Sequence, residues 1–513
     1  MNAPSSTDTG GIETDALIIG GGIAGLTTAV ALAREGLETV IVEKKSILGG
    51  RARSWTDDKT GDPIHIGPHI FTSEYPNFLN LQDVIDARGT IVWQNDPFLH
   101  MVDGQKKLPK RRSNWIPTPF KYVPSEMQDN SYSSKSLWNN LIVLAYVLTM
   151  DDEDLEKLDR INAYAFLKAM GVDDPFIDNV WRFSCRSIMN MPLEMCSAAA
   201  LFRFYRMFVG YSDYDVGFPD GGLGDTFVPQ SREHLEEHGG NILMEREVQE
   251  LLVDDGGVKG ALLADGTSIR ADYTVSAIPA KPLQTIVPRE WERNHDYFGQ
   301  LGHMEPCPYI SPYIWFDRKL TDLKFWARSY QYEDLNTDFY DMSNIITDRK
   351  DQSSLITSNI IYSRRVADLS DEEIVEETVR EISEFLPEAK GATVEHSVVN
   401  RIPLAIHCPY PGVESRRVNQ ESPIDGLYVA GDWTDTNLPS SMEGAAKSGW
   451  MAGEAILEQE NITRDLVMPQ REIDGMAYWI KQFGQRPPFK QIRKWLPVAD
   501  LPSWHTSLPK FWR

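Results

Sequence analysis

Three closely spaced glycines and a later acid are the residues of this chain best suited to chemistry. Gly20, Gly22 and Gly25 form the pattern G-x-G-x-x-G, and Glu43 follows Gly25 by 18 residues. Such glycines allow a tight turn, a close approach of a pyrophosphate and packing of a helix on a strand. The acid can accept hydrogen bonds from a ribose 2′-hydroxyl and disfavours a 2′-phosphate. The pattern therefore predicts a dinucleotide site, with NAD and FAD both open and NADP disfavoured.

The residues around these glycines predict the β-α-β unit that such a site requires. Ala16–Ile19 and Thr39–Val42 are apolar runs short enough for buried strands, and Ile23–Ala33 has a helical composition. Free N–H groups at the start of a helix attract phosphate, so Ile23 and Ala24 join the candidate site. A Gly-rich structural turn without a ligand is the alternative.

A further phosphate-binding element is expected shortly after Glu43. Gly49–Ser54 reads GGRARS, in which the glycines expose backbone N–H groups and Arg51 offers forked donors suited to phosphate. Its position beside the predicted pyrophosphate favours this interpretation over an ordinary loop with exposed arginines. We therefore add Lys44, Gly50 and Arg51 to the candidate site.

A second informative unit lies near the end of the chain. Gly426–Ala430 predicts a short strand, and a helix is expected from about Ser441. Ligands gather at the carboxyl ends of strands in open α/β sheets, so Asp432 could accept hydrogen bonds from sugar-like hydroxyls. The start of the helix can stabilise a developing negative charge. A bare βα unit is the alternative. The candidate residues here are Gly431, Asp432, Ser441, Met442 and Glu443.

Composition limits the classes of function. The chain has 513 residues and a formal net charge of −24. This length suggests about two or three domains, and the acidic balance argues against nucleic acid as a partner. The four cysteines are widely spaced, which argues against a disulfide scaffold and fits a reducing cytoplasm. No run reaches the roughly 18 apolar residues that a membrane span requires.

No metal site is expected. His234 and His238 lie four residues apart on a predicted helix, Phe227–His238, as two metal ligands would. Leu235 follows the first histidine, however, so the pattern H-E-x-x-H is absent. The sequence therefore favours two exposed histidines on a charged helix.

Two segments combine basic and aromatic residues within this acidic chain. Residues 104–126 hold a basic cluster followed by Trp115, and the tail 464–513 mixes lysines and arginines with residues such as Trp479. Such mixtures suit an anionic membrane surface, so peripheral membrane contact is one interpretation. A solvated hairpin for the first segment and a packed C-terminal arm for the second are the alternatives.

The long centre of the chain predicts a substrate-binding region. Residues 161–207 are helical in pattern and rich in aromatic residues, which suits either a cavity wall or ordinary core. Turn signals between 240 and 280 predict a three-stranded meander. Residues 281–411 contain a candidate strand, Ile310–Phe316, and a charged helix, Asp371–Phe385, in which Val375, Val379 and Ile382 are spaced for one face.

Taken together, three segments resemble the flavin-containing amine oxidase and carotenoid desaturase superfamily: Gly20–Glu43, Gly49–Ser54 and Leu427–Gly449. The resemblance implies FAD, with its ADP half on the first unit and its ribitol and flavin at the closing unit. Gly67–Leu81 is similar to a segment of phytoene and ζ-carotene desaturases, and hydroxysqualene dehydroxylases share the closing pattern. Further candidate cofactor residues are Gly67, Pro68 and Val248.

The fold implied by the resemblance is α/β, with a Rossmann-like FAD-binding domain of the glutathione-reductase-like type and an inserted α+β substrate domain. The FAD-binding domain is expected in three parts: 15–100, 216–280 and 412–463. A helical, substrate- or membrane-facing part is expected at 101–215 and a second substrate part at 281–411. The segments left are a disordered N-terminus at 1–14 and a basic-aromatic arm at 464–513.

The implied reaction is dehydrogenation of an apolar, isoprenoid-type substrate, with hydride passing to flavin N5 and a proton leaving the neighbouring carbon. His69 and Glu443 are the candidate catalytic residues; a structural histidine and a helix-capping acid are the alternatives. A dehydroxylase-like reaction would instead use an acid to protonate a leaving hydroxyl. An amine oxidase would be expected to frame the flavin with an aromatic pair, for which Trp433 is one candidate. The exact substrate, the electron acceptor and the oligomeric state stay open.

Overall fold

The computed structural model describes residues 11–94, 97, 99–103, 106–113, 115–127, 133–328 and 334–493. The strands are β1 (Ile12–Ile19), β2 (Thr39–Glu43), β3 (Ser54–Thr56), β4 (Pro63–His65), β5 (Phe71–Thr72), β6 (Ile91–Gln94), β7 (Leu99–Asp103), β8 (Lys106–Lys110), β9 (Val216–Pro219), β10 (Asn241–Met244), β11 (Val248–Asp254), β12 (Gly257–Leu263), β13 (Ser268–Ser276), β14 (Pro306–Phe316), β15 (Phe325–Arg328), β16 (Asp338–Asp341), β17 (Leu355–Ser358), β18 (Val394–His407) and β19 (Leu427–Val429). The helices are α1 (Ile23–Arg34), α2 (Pro76–Val84), α3 (Val123–Glu126), α4 (Ser134–Thr149), α5 (Asp152–Leu158), α6 (Ala163–Ala169), α7 (Asp174–Phe176), α8 (Phe183–Met189), α9 (Ala198–Gly210), α10 (Val228–Glu237), α11 (Ala280–Ile286), α12 (Arg289–Asn294), α13 (Asp296–Gly299), α14 (Met342–Ile345), α15 (Asp371–Phe385), α16 (Met442–Gln459), α17 (Gly475–Gly484) and α18 (Phe489–Arg493).

The first large sheet contains the predicted β-α-β unit. Its strands follow the order β10-β2-β1-β13-β12-β11, and β19 also pairs with β13. β10, β2, β1, β13 and β19 are parallel, so their carboxyl ends meet at one edge, where ligands bind in such sheets. The predicted meander is confirmed as β11–β13. Helices α1 and α16 pack together against this sheet.

The prediction that residues 1–14 are disordered is wrong for residues 12–14. β1 begins at Ile12, and Ile12 to Thr14 pair with Ile269 to Ala271 of β13. Only alternate side chains in this part of the strand are partly buried, so the composition is polar although the backbone is paired. Residues 1–10 lie outside the described part of the chain.

The second large sheet lies mostly in the segments predicted to bind substrate. Its order is β18-β14-β17-β16-β15-β7-β8, and the candidate strand Ile310–Phe316 lies within β14. Helix α15 runs from Asp371 to Phe385 as predicted and begins with a capping box between Ser370 and Glu373. It buries Ile374, Ile382 and Phe385 against one face of this sheet. Val375 and Val379, predicted for that face, are only partly buried.

A helical layer lies on the other side of the molecule. The predicted helical region 161–207 is confirmed as α6 to α9, which share a core with α4 and α17. The hairpin β7–β8 places part of the basic segment 104–126 in the second sheet. Lys110 forms an ion pair with Glu126, and Lys121 is buried with its ammonium group donating to the Tyr211 carbonyl. Much of that charge is therefore used inside the protein.

Candidate active site

A cavity of about 1120 Å³ runs from the carboxyl edge of the first sheet to helices α8 and α9. This volume exceeds the roughly 300–1,000 Å³ typical of a pocket for one small ligand, so it offers room for a cofactor and a substrate. Every predicted cofactor residue except Gly25 and Gly67 lines the cavity, and so does His69. The structure thus brings together residues that lie more than 400 positions apart in the chain.

The glycines of the first unit have different roles. Gly20 has φ of +108°, and a Cβ on Gly25 would lie 1.9 Å from the Gly20 carbonyl oxygen. Gly25 therefore allows α1 to pack on the turn and does not line the cavity. A Cβ on Gly22 would meet nothing closer than Gly50 Cα at 3.9 Å. No side chain caps the start of α1, so its first N–H groups are available to a phosphate.

Glu43 is held in a fixed orientation at the carboxyl end of β2. Its Oε2 accepts a hydrogen bond from the Gly21 backbone N–H at 2.9 Å, and its Oε1 accepts one from Lys45 N–H at 2.8 Å. The side chain is buried but lines the cavity. Each carboxylate oxygen can still accept another hydrogen bond, which suits a ribose hydroxyl.

Arg51 joins the GGRARS loop to the closing unit. Its guanidinium contacts both carboxylate oxygens of Asp432, and Nη1 also donates to the Ala405 carbonyl at 2.9 Å. The Asp432 side chain is 6% exposed and that of Arg51 31%. Each side chain of this pair fixes the orientation of the other, so the two predicted cofactor residues support each other.

The closing unit is anchored by helix caps and small residues. Ser441 caps α16 by accepting a hydrogen bond from Gly444 N–H at 3.0 Å. Gly431 has φ of +147° and donates to the Ser448 hydroxyl. A Cβ on Gly449 would lie 2.6 Å from the Ala24 carbonyl oxygen. That small residue therefore serves the packing of α16 on α1 rather than contact with a ligand.

The contacts of Glu443 support the structural alternative. Its carboxylate accepts hydrogen bonds from the backbone N–H groups of Asn77 and Phe78, from Asn77 Nδ2 at 2.7 Å and from Gln470 Nε2 at 3.1 Å. The acid thus caps α2, not its own helix. Burial raises the pKa of this carboxyl above its ordinary value, although the hydrogen bonds from Asn77 and Phe78 lower it.

His69 lies in the cavity wall with one ring nitrogen free for substrate. Nδ1 is 2.8 Å from the Gly67 carbonyl oxygen. Because a carbonyl only accepts, Nδ1 carries the proton and Nε2 is left as an acceptor. Burial lowers the pKa of the ring below its ordinary value, so His69 is neutral near pH 7.

Tyr309 and Tyr340 were missed by the sequence reasoning. Both line the cavity from the second sheet. A Cβ on Gly67 would lie 2.2 Å from the Tyr309 hydroxyl oxygen, so Gly67 makes room for this ring. A strand that is buried on both faces shows no alternation of apolar and polar residues. Its sequence therefore does not indicate which of its side chains point into a cavity.

Trp433 and the pair of His234 and His238, which were also candidates from the sequence, have structural roles. Trp433 packs in the core below the first sheet, with its indole N–H donating to the Ile278 carbonyl at 3.1 Å. It does not frame the cavity. His238 Nδ1 lies 2.7 Å from the His234 carbonyl oxygen, and the two rings stack. Within the described residues no group of three or more ligating side chains could hold a metal ion.

Comparison with known proteins identifies the family. Residues 23–457 match the sequence profile of the flavin-containing amine oxidoreductases. The chain belongs to this family. It is a FAD-dependent oxidoreductase, and its residues fit that cofactor: the uncapped α1, the open space at Gly22 and the oriented acids Glu43 and Asp432 all line one cavity.

Several curated relatives are desaturases. The chain is 27% identical to 15-cis-phytoene desaturase of Synechococcus elongatus over 467 residues, which covers 86% of this chain and 96% of the relative. The corresponding Capsicum annuum protein is 27% identical over 463 residues, covering 86% and 77%. Zeta-carotene desaturase of a Synechocystis species is 23% identical over 475 residues, covering 86% and 97%.

Solved structures show the same fold at lower identity. Cyclohexylamine oxidase from Brevibacterium oxydans superimposes with a TM-score of 0.63 at 16% identity, covering 87% of this chain and 99% of that one. A putrescine oxidase variant gives a TM-score of 0.66 at 15% identity, with 87% and 99% covered. The predicted Rossmann-like FAD-binding fold is thereby confirmed.

Proposed function

We propose that this protein desaturates an apolar, isoprenoid-type substrate with FAD as the hydride acceptor. The observation that carries the proposal is the continuity of the cavity, which passes from the cofactor residues directly to an aromatic and aliphatic wall on α8 and α9. The names of the desaturase relatives support the same substrate class.

The far wall suits a hydrocarbon. Side chains of α8 and α9 that line it include Phe183, Ile188, Phe204, Met207 and Phe208. Phe208 packs against Phe204 and stacks on Tyr122 with ring centroids 5.2 Å apart. A hydrocarbon offers few polar contacts, so it must be oriented by the shape of such walls.

Three groups of residues divide the work. FAD, when bound, supplies the redox chemistry. Glu43, Arg51 and Asp432 would hold it in place. His69, which lines the cavity and keeps Nε2 as an acceptor, could take the proton from the carbon next to the oxidised one. Glu443 would act as a positioning residue, because its oxygens already bind the start of α2.

Anaerobic reduction of the FAD-loaded protein tests the proposal. We would mix it with phytoene, squalene, a squalene alcohol and a panel of primary amines, and follow bleaching of the flavin absorbance. We expect at least one isoprenoid to bleach the flavin and the amines to leave it oxidised. Bleaching by amines alone would identify an amine oxidase and overturn the proposal.

We also propose peripheral contact with an anionic membrane through α4 and α17. No helix among the described residues is long and apolar enough to cross a bilayer. The two helices pack together and on α9, and they expose Trp138 (65%), Trp479 (59%) and Phe483 (55%). An apolar substrate could pass from the bilayer towards the cavity wall that α9 forms.

Co-sedimentation with phosphatidylglycerol vesicles tests this contact. We expect the double variant Trp138→Ser, Trp479→Ser to lose most of the binding. Trp93→Ser is the matched control, because Trp93 is also exposed (39%) but lies on β6. Equal binding of both variants and the unmodified protein would contradict the proposed surface.

A further inference from the structure

Five side chains form a polar group at one place in the wall of the proposed substrate region. They come from α8, β14, β16 and the end of β17, and we refer to them as the Asp338 cluster: Ser187, Tyr309, Asp338, Tyr340 and Asn359. All except Asp338 line the cavity. Asp338 is fully buried behind them.

Asp338 orients two neighbours. Its Oδ2 accepts a hydrogen bond from the Ser187 hydroxyl at 2.9 Å, and its Oδ1 accepts one from Asn359 Nδ2 at 3.0 Å. The Ser187 hydroxyl donor is thereby used, as is one of the two N–H groups of Asn359 Nδ2, while Ser187 Oγ and Asn359 Oδ1 are left as acceptors. Neither has another donor to it among the described residues.

The two tyrosines supply donors. Tyr340 is two residues from Asp338 on β16, so the pleat places both on one face, while Phe339 packs towards α15 on the other. Tyr340 is 3% exposed and Tyr309 8%. Neither hydroxyl has a hydrogen-bond partner among the described residues, although both side chains line the cavity.

We infer that the Asp338 cluster binds a hydroxyl group, so that the preferred substrate is an isoprenoid alcohol rather than a pure hydrocarbon. An alcohol both donates and accepts, which matches the two acceptors, the two tyrosine hydroxyl donors and the second N–H of Asn359 in the cluster. A ketone could only accept, so it would leave both acceptors of the cluster without a donor. A hydrocarbon would leave the buried hydroxyls without partners, which is unfavourable.

This inference rests on the proposed function and is tested by binding without turnover. We would measure dissociation constants of squalene and a squalene alcohol for the holoenzyme after chemical reduction of its flavin, when it cannot oxidise the probes. The alcohol should bind at least about tenfold more tightly. Equal dissociation constants would overturn the inference.

Substitutions in the Asp338 cluster test whether these residues cause the preference for the alcohol. In Tyr340→Phe we expect the preference to fall severalfold while squalene binding is unchanged. Tyr205→Phe is the matched control, because Tyr205 also lines the cavity but its hydroxyl already donates to Ser184 at 2.6 Å. If Tyr340→Phe does not retain flavin, the same dissociation constants are measured for Tyr309→Phe. A loss of affinity that is equal for both probes would contradict the assignment.

The two proposals fail in different ways. Equal binding of squalene and its alcohol, with flavin bleached by phytoene, would reject the hydroxyl site and leave the desaturase proposal standing. Flavin bleached only by amines would reject the desaturase proposal itself.

Discussion

The two ends of the cavity are built by different means. At the cofactor end, the cavity wall combines backbone N–H groups, placed by glycines and by the edge of one parallel sheet, with the side chains of Glu43, Arg51 and Asp432. At the substrate end, the wall consists of side chains from helices and a second sheet that are distant in the chain. Backbone geometry and a few charged side chains therefore define the first end, and side-chain packing defines the second.

The cofactor end should tolerate no added atom at its tightest glycine. Gly25→Ala would place Cβ 1.9 Å from the Gly20 carbonyl oxygen, so α1 must shift at a cost above about 4 kcal/mol. We expect purified Gly25→Ala to lack bound FAD, measured as flavin absorbance per protein. Gly36→Ala is the control. Gly36 has φ of +89° but open space around it, so that change should cost only about 1–2 kcal/mol and keep the flavin.

Glu443 lies at the cofactor end and should affect stability more than chemistry. In Glu443→Gln an amide donor would face the N–H groups of Asn77 and Phe78. We expect a loss of about 3 kcal/mol in the free energy of unfolding, measured by denaturant titration. The rate of flavin reduction per bound FAD should change little. A large drop in that rate with unchanged stability would instead show a catalytic acid.

His69 should show the opposite behaviour. His69→Gln removes the acceptor nitrogen but leaves a side chain able to donate to the Gly67 carbonyl. We expect retained FAD and a flavin reduction rate about 100-fold lower, measured by anaerobic stopped flow. His303→Gln is the control, because His303 lies outside the cavity wall. An unchanged rate in His69→Gln would make this histidine structural.

The substrate end should also have a pH-dependent stability. Burial raises the pKa of Asp338 to about 7 from an ordinary value of 3.8. The folded state therefore binds more protons than the unfolded state between these values, and the contribution of Asp338 to stability is lost as the pH rises through 7. We expect the unmodified protein to lose about 2 kcal/mol relative to Asp338→Asn between pH 5 and 7. If the free energies of unfolding of the two proteins change equally between pH 5 and 7, this prediction is contradicted.

Local sequence predicted the cofactor end well. The strand, turn, helix and acid of the first unit lie within about thirty residues, so spacing alone places them, and helix α15 was predicted from its charged composition and periodicity. The paired strand at Ile12 to Thr14 was missed because polar side chains cover its exposed positions. The role of Glu443 was open, because nothing near it in the chain indicates that it faces the start of α2.

The sequence by itself determined the fold class, the family and the residues expected to hold FAD, since these depend on short-range patterns of glycine, acid and hydrophobic residues. Only the tertiary structure decided which side chains meet in the substrate region. Ser187, Tyr309, Asp338 and Asn359 belong to four elements, and no periodicity links them. Their arrangement follows from how a second sheet packs against a helical layer, and long-range packing of this kind leaves no local pattern to be read.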